Sequence, residues 1–501
     1  MTTVIAATGE PSTGQVEDFD VVVVGAGISG VDAAYHLTHR RPGTSYVVLE
    51  GLGSFGGTWL THRYPGIRSD SDLYTFGYAC KPWTGPPIAT AEEILRYMGE
   101  VIDENGLDEH IRYRHRITSA QWSSEERRWT IEAHDEARGE TKWFRAGFLW
   151  MCQGYYRHSE GYTPDWPGME DYEGRIIHPQ TWPEDLDLTD KQVIVIGSGA
   201  TAATLVPAIA GDCAHVTVVQ RSPTYFYSGP NTNEVADMLR ELEIDEAWIH
   251  EIVRRKIIHD QGVVTRLAFE EPEFLRDVLI DMAKERLPEG YDVATHFTPK
   301  YLPWRQRIAY LPDGDLFAGI SAGLATMVTG EIECFTSKGL RMRSGEEIAA
   351  DVIITATGFN LSILGDIAFC VDGEPVDVSK TVTYRGMMFT GVPNLVWIMG
   401  YFRASWTLRA DLVCDFVCRL LDHMDELGAT EVTPELRPQD EELEQLDWMA
   451  DDNFNPGYLM RAMSLLPRRL DVPEWQHTQD YWTEKEVFPA IDLDDGCLVY
   501  E

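Results

Sequence analysis

Two glycine-rich turns constrain the fold of this chain more than any other feature of its sequence. The first occupies residues 25–30 (GAGISG) and follows four valines at residues 21–24. The second occupies residues 197–202 (GSGATA) and follows the apolar run at residues 192–196. A strand, a turn of this spacing and a helix bring the backbone close to a pyrophosphate at the helix N-terminus. The sequence therefore predicts an α/β fold with two dinucleotide-binding units, whose contact residues are Gly25, Gly27, Ser29 and Gly30 in the first turn and Gly197, Ser198, Gly199, Ala200, Thr201 and Ala202 in the second.

The second strand of each unit ends in a different kind of residue. In the first unit it ends in Glu50, which suits hydrogen bonding to a ribose 2′-hydroxyl. In the second unit the matching position holds Arg221, followed by Ser222. An arginine pairs with a 2′-phosphate that an acid would repel, so the second unit is expected to prefer NADPH over NADH.

The domain boundaries follow from the position of the two units. Residues 1–17 are expected to form a flexible tail. A first domain is expected at 18–165 and 349–501, interrupted by a second domain at 166–348 that carries a helical insertion at about 226–300. The apolar runs at 148–154 and 351–358 both end at a glycine and are interpreted as the connections between the domains.

The composition excludes several classes of partner. The chain holds 81 acidic and 42 basic residues, a net charge of −39, which argues against nucleic acid and anionic membranes. No apolar run is long enough to predict a transmembrane helix. The eight cysteines include no Cys-x-x-Cys pair, and no basic stretch opens the chain, so a reduced cytoplasmic location is expected.

Three further motifs identify a family resemblance. Residues 56–59 read GGTW, residues 63–70 read RYPGIRSD, and residues 172–183 read YEGRIIHPQTWP. Together they resemble the class B flavin monooxygenases, and more narrowly the type I Baeyer–Villiger monooxygenases. The likeness covers nearly the whole chain, and several segments look like the ethionamide-activating monooxygenases of actinobacteria. The family fingerprint F-x-G-x-x-x-H-x-x-x-W-P is present with tyrosine replacing phenylalanine, at Tyr172, Gly174, His178, Trp182 and Pro183.

The resemblance implies both the cofactors and the reaction. It implies FAD in the first domain, NADPH in the second, and the conversion of ketones to esters or lactones by O2 through a C4a-peroxyflavin, with sulfides as further substrates. The chain is then a monomer or a homodimer, and no metal is expected. Beyond the glycine turns, the resemblance places FAD near Gly57, Thr58, Trp59, Asp70 and Ile117.

The resemblance also assigns the catalytic residues. The family's arginine matches Arg307, with Arg305 as a nearby rival, and its acid matches Asp70, with Asp72 as a rival that could instead cap a helix. The lysine that precedes the arginine in many relatives is Gln306 here. Selectivity for NADPH would then depend more on the arginine of the second unit.

Three further groups of residues are candidates for a functional role. His178 and Trp182 are interpreted as a clamp at a hinge, and Ser405-Trp406 as either the substrate side of the flavin or core. His36 and His39 lie three residues apart on a helix, but no third metal ligand is evident in the sequence.

Three alternative functions also involve the binding of two nucleotide cofactors. An N- or S-hydroxylating flavin monooxygenase shares the glycine turns but not the Trp-Pro ending of the fingerprint. A non-catalytic redox sensor binding FAD and NADPH would have no need of the catalytic arginine. A disulfide reductase is disfavoured by the missing cysteine pair.

Overall fold

The computed structural model describes residues 16–450 and 452–501. Its helices, in chain order, are α1 (Ile28–Arg40), α2 (Thr58–Thr61), α3 (Leu73–Phe76), α4 (Ala91–Glu104), α5 (Ala200–Ile209), α6 (Glu234–Glu241), α7 (Glu246–Glu270), α8 (Pro272–Arg286), α9 (Val293–His296), α10 (Asp315–Ser321), α11 (Trp406–Leu427), α12 (Gly457–Ala462) and α13 (Tyr481–Val487).

The strands of the same residues are also numbered in chain order. They are β1 (Val16–Val24), β2 (Tyr46–Leu49), β3 (Ile111–Arg112), β4 (His115–Ser123), β5 (Arg128–Asp135), β6 (Glu140–Met151), β7 (Tyr156–Gly161), β8 (Arg175–Ile177), β9 (Gln192–Ile196), β10 (His215–Gln220), β11 (Phe226–Gly229), β12 (Ala309–Pro312), β13 (Ala325–Thr329), β14 (Ile332–Thr336), β15 (Gly339–Met342), β16 (Glu347–Ala349), β17 (Val352–Thr355), β18 (Phe359–Leu361), β19 (Ala368–Val371), β20 (Glu374–Pro375), β21 (Thr383–Tyr384), β22 (Met388–Phe389), β23 (Leu395–Trp397), β24 (Val432–Pro434), β25 (Leu446–Asp447), β26 (Arg468–Arg469) and β27 (Leu498–Tyr500).

Two sheets organise the chain around the glycine turns. The first has nine strands in the order β20-β19-β4-β5-β6-β1-β2-β3, with β23 paired to β6. The second is five parallel strands in the order β13-β10-β9-β17-β8. Each glycine turn leaves the carboxyl end of an inner strand, β1 or β9, which is where α/β sheets bind ligands.

Both inner strands are apolar on both faces, as their uninterrupted runs of valine and isoleucine predict. In β9, Val193 and Val195 belong to one buried cluster and Ile194 and Ile196 to another on the opposite face. The valines of β1 divide in the same way. Each sheet is therefore covered on both sides, and the predicted α/β fold class is confirmed.

The predicted tail is too long by two residues. Val16 and Glu17 belong to β1, where they pair with Trp143 and Phe144 of β6. The strand starts before the apolar run because its first residues need only backbone partners. Residues 1–15 of the predicted tail lie outside the described residues.

The predicted return to the first domain at 349 is also too early. Strand β17 pairs with β9 and β8 and so belongs to the second sheet. A short apolar run ending in glycine fits the centre of either sheet, so the sequence did not specify which one. Beyond β17, strand β18 pairs antiparallel with β7, and the two crossings between the sheets lie side by side as a ribbon.

Helices α6 to α9 lie within the range of the predicted helical insertion, and α7 packs against α3. The Arg254 guanidinium of α7 donates hydrogen bonds to the carbonyl oxygens of Tyr74, Thr75 and Gly77 around the end of α3. The His250 ring accepts one from the Trp83 amide at 3.0 Å. Among the described helices, none is both long and apolar enough to cross a membrane.

Candidate active site

A cavity of about 620 Å³ lies between the two glycine turns. Its lining includes many of the residues predicted from sequence: Gly25, Gly27, Ser29, Glu50, Gly57, Thr58, Trp59, Asp70, Ile117, Gly199, Ala200, Thr201 and Arg307. Other predicted residues do not line it: Gly30, Gly197, Ser198, Ala202, Arg221, Ser222 and the five fingerprint residues.

The first turn brings bare backbone to the cavity. Helix α1 starts after Gly27, and no side chain caps its first amides. A Cβ built on Gly57 would lie 3.2 Å from the Gly27 Cα, so two glycine backbones approach each other here. A Cβ on Gly30 would lie 1.8 Å from the Gly25 carbonyl oxygen. Uncapped amides, with glycines around them that let a ligand approach, are what a pyrophosphate needs at a helix N-terminus.

Glu50 fixes the shape of the first turn. The residue is 6% exposed, and its carboxylate accepts hydrogen bonds from the Ala26 and Leu52 amides, both at 2.7 Å. Burial raises the pKa of Glu50, and these hydrogen bonds oppose that rise. The acid therefore joins the turn to the end of β2 while also lining the cavity.

The second turn has the same backbone plan, but different residues pack around it. Helix α5 starts after Gly199, again without a side-chain cap. A Cβ on Gly197 would lie 2.3 Å from the Ala356 carbonyl oxygen, so the turn packs on the chain leaving β17. The Ser198 hydroxyl contacts the Thr224 hydroxyl at 3.1 Å and donates to the Ser222 carbonyl oxygen at 3.3 Å. Arg221, just before this group, is exposed.

Arg307 and Asp70 meet in the cavity. The Arg307 Nε and Nη2 atoms both donate to the Asp70 carboxylate, and Nη1 donates to the Phe402 carbonyl oxygen at 3.2 Å. The two side chains are 35% and 24% exposed. Burial lowers the pKa of Arg307, but the charge and hydrogen bonds of Asp70 outweigh it and raise that pKa. The guanidinium therefore stays charged while one face remains open to the cavity.

The two rival residues lie elsewhere. Arg305 donates to the Asp452 carbonyl oxygen and lies 5.1 Å from the centre of the Phe269 ring. Asp72 caps α3, where it accepts a hydrogen bond from the Tyr74 amide at 2.9 Å, and burial raises its pKa to about 7. Neither lines the cavity.

A wall of aromatic rings faces the arginine. The Tyr155 ring stacks on Trp406 at 5.2 Å with an interplanar angle of 7°. Its hydroxyl donates to the Tyr156 hydroxyl at 2.6 Å. Tyr458 packs against both tyrosines, at 6.4 and 6.2 Å. All four rings line the cavity, and burial raises the pKa of each tyrosine, so the phenols stay protonated.

Sequence reasoning missed the three tyrosines. Two of them follow Gly154 directly beyond the carboxyl end of β6, which is the place in the sheet where ligands bind. That position was an available signal. The third approaches from the C-terminal part of the chain, and no local pattern indicates it.

Ser405 and Trp406, for which the sequence left both a cavity and a core position open, differ in where they lie. Trp406 lines the cavity, and its indole Nε1 donates to the Ser29 hydroxyl at 2.8 Å. Ser405 is buried beneath it, with its hydroxyl 2.7 Å from that of Thr75. One residue belongs to the site and the other to the core.

Comparison with known proteins places this site in a family. The model of the pyridine nucleotide-disulphide oxidoreductase family matches residues 19–280. The chain is 46% identical over 484 residues to the FAD-containing monooxygenase EthA of Mycolicibacterium smegmatis, and the match covers 96% of this chain and 97% of that protein. The chain belongs to the FAD-containing monooxygenases of this oxidoreductase family. The family resemblance inferred from the motifs is confirmed.

Two solved structures share the fold of this FAD-containing monooxygenase over nearly its whole length. A steroid monooxygenase bound to NADP has a TM-score of 0.75 at 23% identity, covering 96% of this chain and 99% of its own. A cyclohexanone monooxygenase bound to ε-caprolactone has a TM-score of 0.75 at 20% identity, covering 97% and 100%. At these identities the likeness concerns the fold.

The residues around the first turn of the monooxygenase fit FAD. The uncapped start of α1 suits the pyrophosphate, and the buried Glu50 lies beside it at the end of β2. The cavity continues from this turn past Trp59 and Ile117 to the aromatic wall and Arg307. A dinucleotide held there would reach from the first turn to the guanidinium.

The fingerprint of the monooxygenase holds the connection between the two sheets. His178 Nε2 lies 3.0 Å from the Gly358 carbonyl oxygen, and Nδ1 accepts a hydrogen bond from the Gln180 amide at 3.2 Å. A Cβ on Gly161 of β7 would lie 2.0 Å from the same ring. The histidine therefore packs against both strands of the β7–β18 ribbon. Burial lowers its pKa, which keeps the ring neutral.

The remaining fingerprint residues are structural in the same region. The Tyr172 hydroxyl donates to the Ala350 carbonyl oxygen at 3.0 Å. A Cβ on Gly174 would lie 2.4 Å from the Asp351 carbonyl oxygen. Trp182 packs against a buried cluster of the second sheet. None of these side chains reaches the cavity.

His36 has more acidic neighbours than the sequence indicated. Ligand atoms of Asp32, His36 and Asp411 lie within 4.8 Å of one another. The ring contacts Asp411 at 3.1 Å, and burial raises the pKa of Asp32 to about 7. Burial opposes protonation of His36, but hydrogen bonds to Asp411 and Cys418 raise its pKa to about 10. A charged imidazolium between two carboxyl groups accounts for this contact, and His39 lies apart, stacked on Tyr35 at 4.2 Å.

Proposed function

We propose that this FAD-containing monooxygenase uses NADPH and O2 to convert ketones into esters or lactones, and that it also oxidises sulfides. The observation that carries the proposal is the guanidinium of Arg307, held in a bidentate pair with Asp70 inside the cavity between the two turns. The names of the two solved structures, one bound to NADP and one to a lactone, agree with it.

The two turns hold the two cofactors in this proposal. FAD binds along the first turn, Glu50 and the cavity-lining residues that follow: Gly57, Thr58, Trp59, Asp70 and Ile117. NADPH binds at the second turn, where Arg221 favours a 2′-phosphate. FAD, when bound, supplies the redox chemistry that consumes NADPH and O2.

Arg307 supplies a fixed positive charge where negative charge develops on the reacting oxygen. A preorganised cation is effective there because it needs no rearrangement during the reaction. Asp70 fixes the guanidinium with two hydrogen bonds and leaves Nη1 near the cavity wall. The rings of Tyr155, Tyr458 and Trp406 cover the same space and exclude water from it.

Replacing the arginine tests the proposal. The holoenzyme would be incubated with NADPH and air in the presence of a cyclic ketone, a linear ketone or a thioether, and the products identified by mass spectrometry. The Arg307→Ala variant is expected to form ester or lactone about 10²- to 10³-fold more slowly, the usual effect of removing one electrostatic stabiliser. Anaerobic reduction of the flavin by NADPH is expected to stay near the wild-type rate.

Arg305→Ala is the matched control, because it removes the same side chain two residues away and outside the cavity. It is expected to keep wild-type product formation. Ester formation at the wild-type rate by Arg307→Ala would refute the assignment. Consumption of NADPH at one rate with or without substrate, with accumulation of peroxide, would instead favour an oxidase or a redox sensor. Thioether oxidation without any ester would favour the N- or S-hydroxylating monooxygenases.

A further inference from the structure

Two arginine side chains stand at the edge of the second turn and come from different parts of the chain. Arg221 follows β10 directly. Arg461 lies on α12, in the C-terminal part of the chain. Its guanidinium lies 3.4 Å from the centre of the Tyr162 ring, and Nη2 donates to the Phe359 carbonyl oxygen at 3.4 Å.

Packing of α12 brings Arg461 to Gly358, close to the residues on which the second turn packs. Its Nη2 atom lies 3.7 Å from the position of a Cβ on Gly358, a residue that lines the cavity. Two residues earlier, the Ala356 carbonyl packs on Gly197 of the turn. The Ser198 hydroxyl then contacts Ser222 and Thr224, the residues that follow Arg221. A series of contacts therefore links Arg461 to the residues that follow Arg221.

This protein as a whole is strongly acidic. The chain carries 81 acidic residues against 42 basic ones, so carboxylates are abundant. Yet in the part of the chain that the structure describes, neither Arg221 nor Arg461 has a carboxylate partner. Burial lowers the pKa of Arg461, and the neighbouring charge of Arg221 lowers it further, against the effect of Tyr162. Two guanidinium groups without carboxylate partners suit a doubly charged anion.

We propose that Arg461 and Arg221 together bind the 2′-phosphate of the nicotinamide dinucleotide. This inference rests on the proposed use of NADPH and adds a phosphate ligand from outside the second dinucleotide unit. Gln306 lines the cavity without a positive charge, and Arg461 supplies a charge from the C-terminal part of the chain. Helix α12 packs on β18, so binding of the phosphate also ties the C-terminal segment to the second turn.

Calorimetric titration of the holoenzyme with 2′,5′-ADP and with 5′-AMP tests the inference without any turnover. Arg461→Gln and Arg221→Gln are each expected to weaken 2′,5′-ADP binding about tenfold, as for the loss of one charge-assisted hydrogen-bonded pair. Binding of 5′-AMP, which lacks the 2′-phosphate, is expected to change less than twofold. Arg461→Lys keeps the charge without the fork and is expected to restore part of the affinity.

Arg96→Gln is the matched control, since Arg96 is an exposed arginine on α4 and its loss changes the net charge equally. It is expected to bind both nucleotides as the wild type does. FAD content and melting temperature establish that each variant is folded. Unchanged 2′,5′-ADP binding by Arg461→Gln, or equal losses for both nucleotides, would overturn the inference.

Steady-state kinetics separate this inference from the proposed reaction. Arg461→Gln is expected to raise KM for NADPH about tenfold, with kcat and the KM for NADH nearly unchanged. If the wild type forms no ester or sulfoxide while the variant still loses 2′,5′-ADP affinity, the proposed reaction fails and the phosphate site stands. If ester forms and 2′,5′-ADP affinity is retained, only the phosphate site fails.

Discussion

The two glycine turns share one backbone plan but differ in what surrounds it. In the first, the third position is Gly30, where a Cβ would lie 1.8 Å from a backbone oxygen, and the following strand ends in buried Glu50. In the second, Ala202 occupies the third position and the strand ends before exposed Arg221. The first turn is closed by buried hydrogen bonds and the second is bordered by exposed charge.

This difference suits the first turn to a cofactor that stays bound and the second turn to a cofactor that exchanges. Buried hydrogen bonds are strong because water does not compete for them, and they hold the first turn in one shape. Exposed charges bind an anion quickly and release it, and salt screens them. A FAD-containing monooxygenase retains its flavin and, in our proposal, exchanges its nicotinamide nucleotide. The same supersecondary unit serves both purposes through a few residues around it.

Gly30→Ala is expected to have the largest effect of the substitutions that test this difference between the turns. The added methyl group would displace the Gly25 carbonyl and distort the first turn, at a cost of about 3 kcal/mol or more. We expect loss of most of the FAD from the purified protein, measured by the ratio of absorbance at the flavin band to that of the protein, and a lower melting temperature.

Ala202→Gly is the matched control, because it makes the reverse substitution at the corresponding position of the second turn. It removes a methyl group instead of adding one, and it lowers the stability of the helix by about 1 kcal/mol. FAD content is expected to stay at the wild-type level. Equal FAD content in both variants would show that the two turns do not differ in the way the structure indicates.

Glu50→Gln is expected to have the next largest effect. The amide keeps one acceptor but turns an NH2 group toward one of the two backbone amides that the carboxylate accepts from. A buried unsatisfied donor costs about 1–3 kcal/mol, so FAD should bind about ten- to one-hundredfold more weakly. Dialysis followed by flavin fluorescence measures the loss. Arg221→Gln should keep full FAD, and a deficit in that variant would contradict the assignment of separate roles.

The sequence predicted those parts of the site that depend on local spacing. The glycine turns and Glu50 lie on single strand–turn–helix units, so their relative positions follow from residue number. The pairing of Arg307 with Asp70 came from family resemblance, since 237 residues separate the two side chains.

Features that depend on tertiary packing were not predictable in this way. Tyr458 reaches the aromatic wall from the C-terminal segment, and β17 joins the second sheet although its sequence fits either. Arg461 also reaches Gly358 only through packing of α12 on β18. Only the fold brings such residues together.

His178 lies on the connection between the two regions and tests whether they act together. His178→Ala removes the contacts to the Gly358 carbonyl and the Gln180 amide while leaving both turns intact. We expect turnover to fall about tenfold, equivalent to about 1.4 kcal/mol, with FAD retained. Steady-state rates and flavin absorbance measure the two effects. His134→Ala, at an exposed position on β5, is the control, and an apoprotein from His178→Ala would show a folding role instead.

The smallest expected effect is a pH dependence of stability from the same histidine. Burial lowers the pKa of His178 below its usual value of about 6.5. The neutral ring is therefore favoured in the folded protein, and its contribution is complete above that value and lost as the pH falls below it. Other buried histidines, such as His62 and His250, act in the same direction because burial lowers the pKa of each to about 4. Only the difference between wild type and His178→Gln isolates this ring, so melting temperatures of both would be compared between pH 7.5 and 5.5. The wild type should lose more stability than the variant, whereas parallel curves would show that the neutral form of His178 contributes nothing to holding the two regions together.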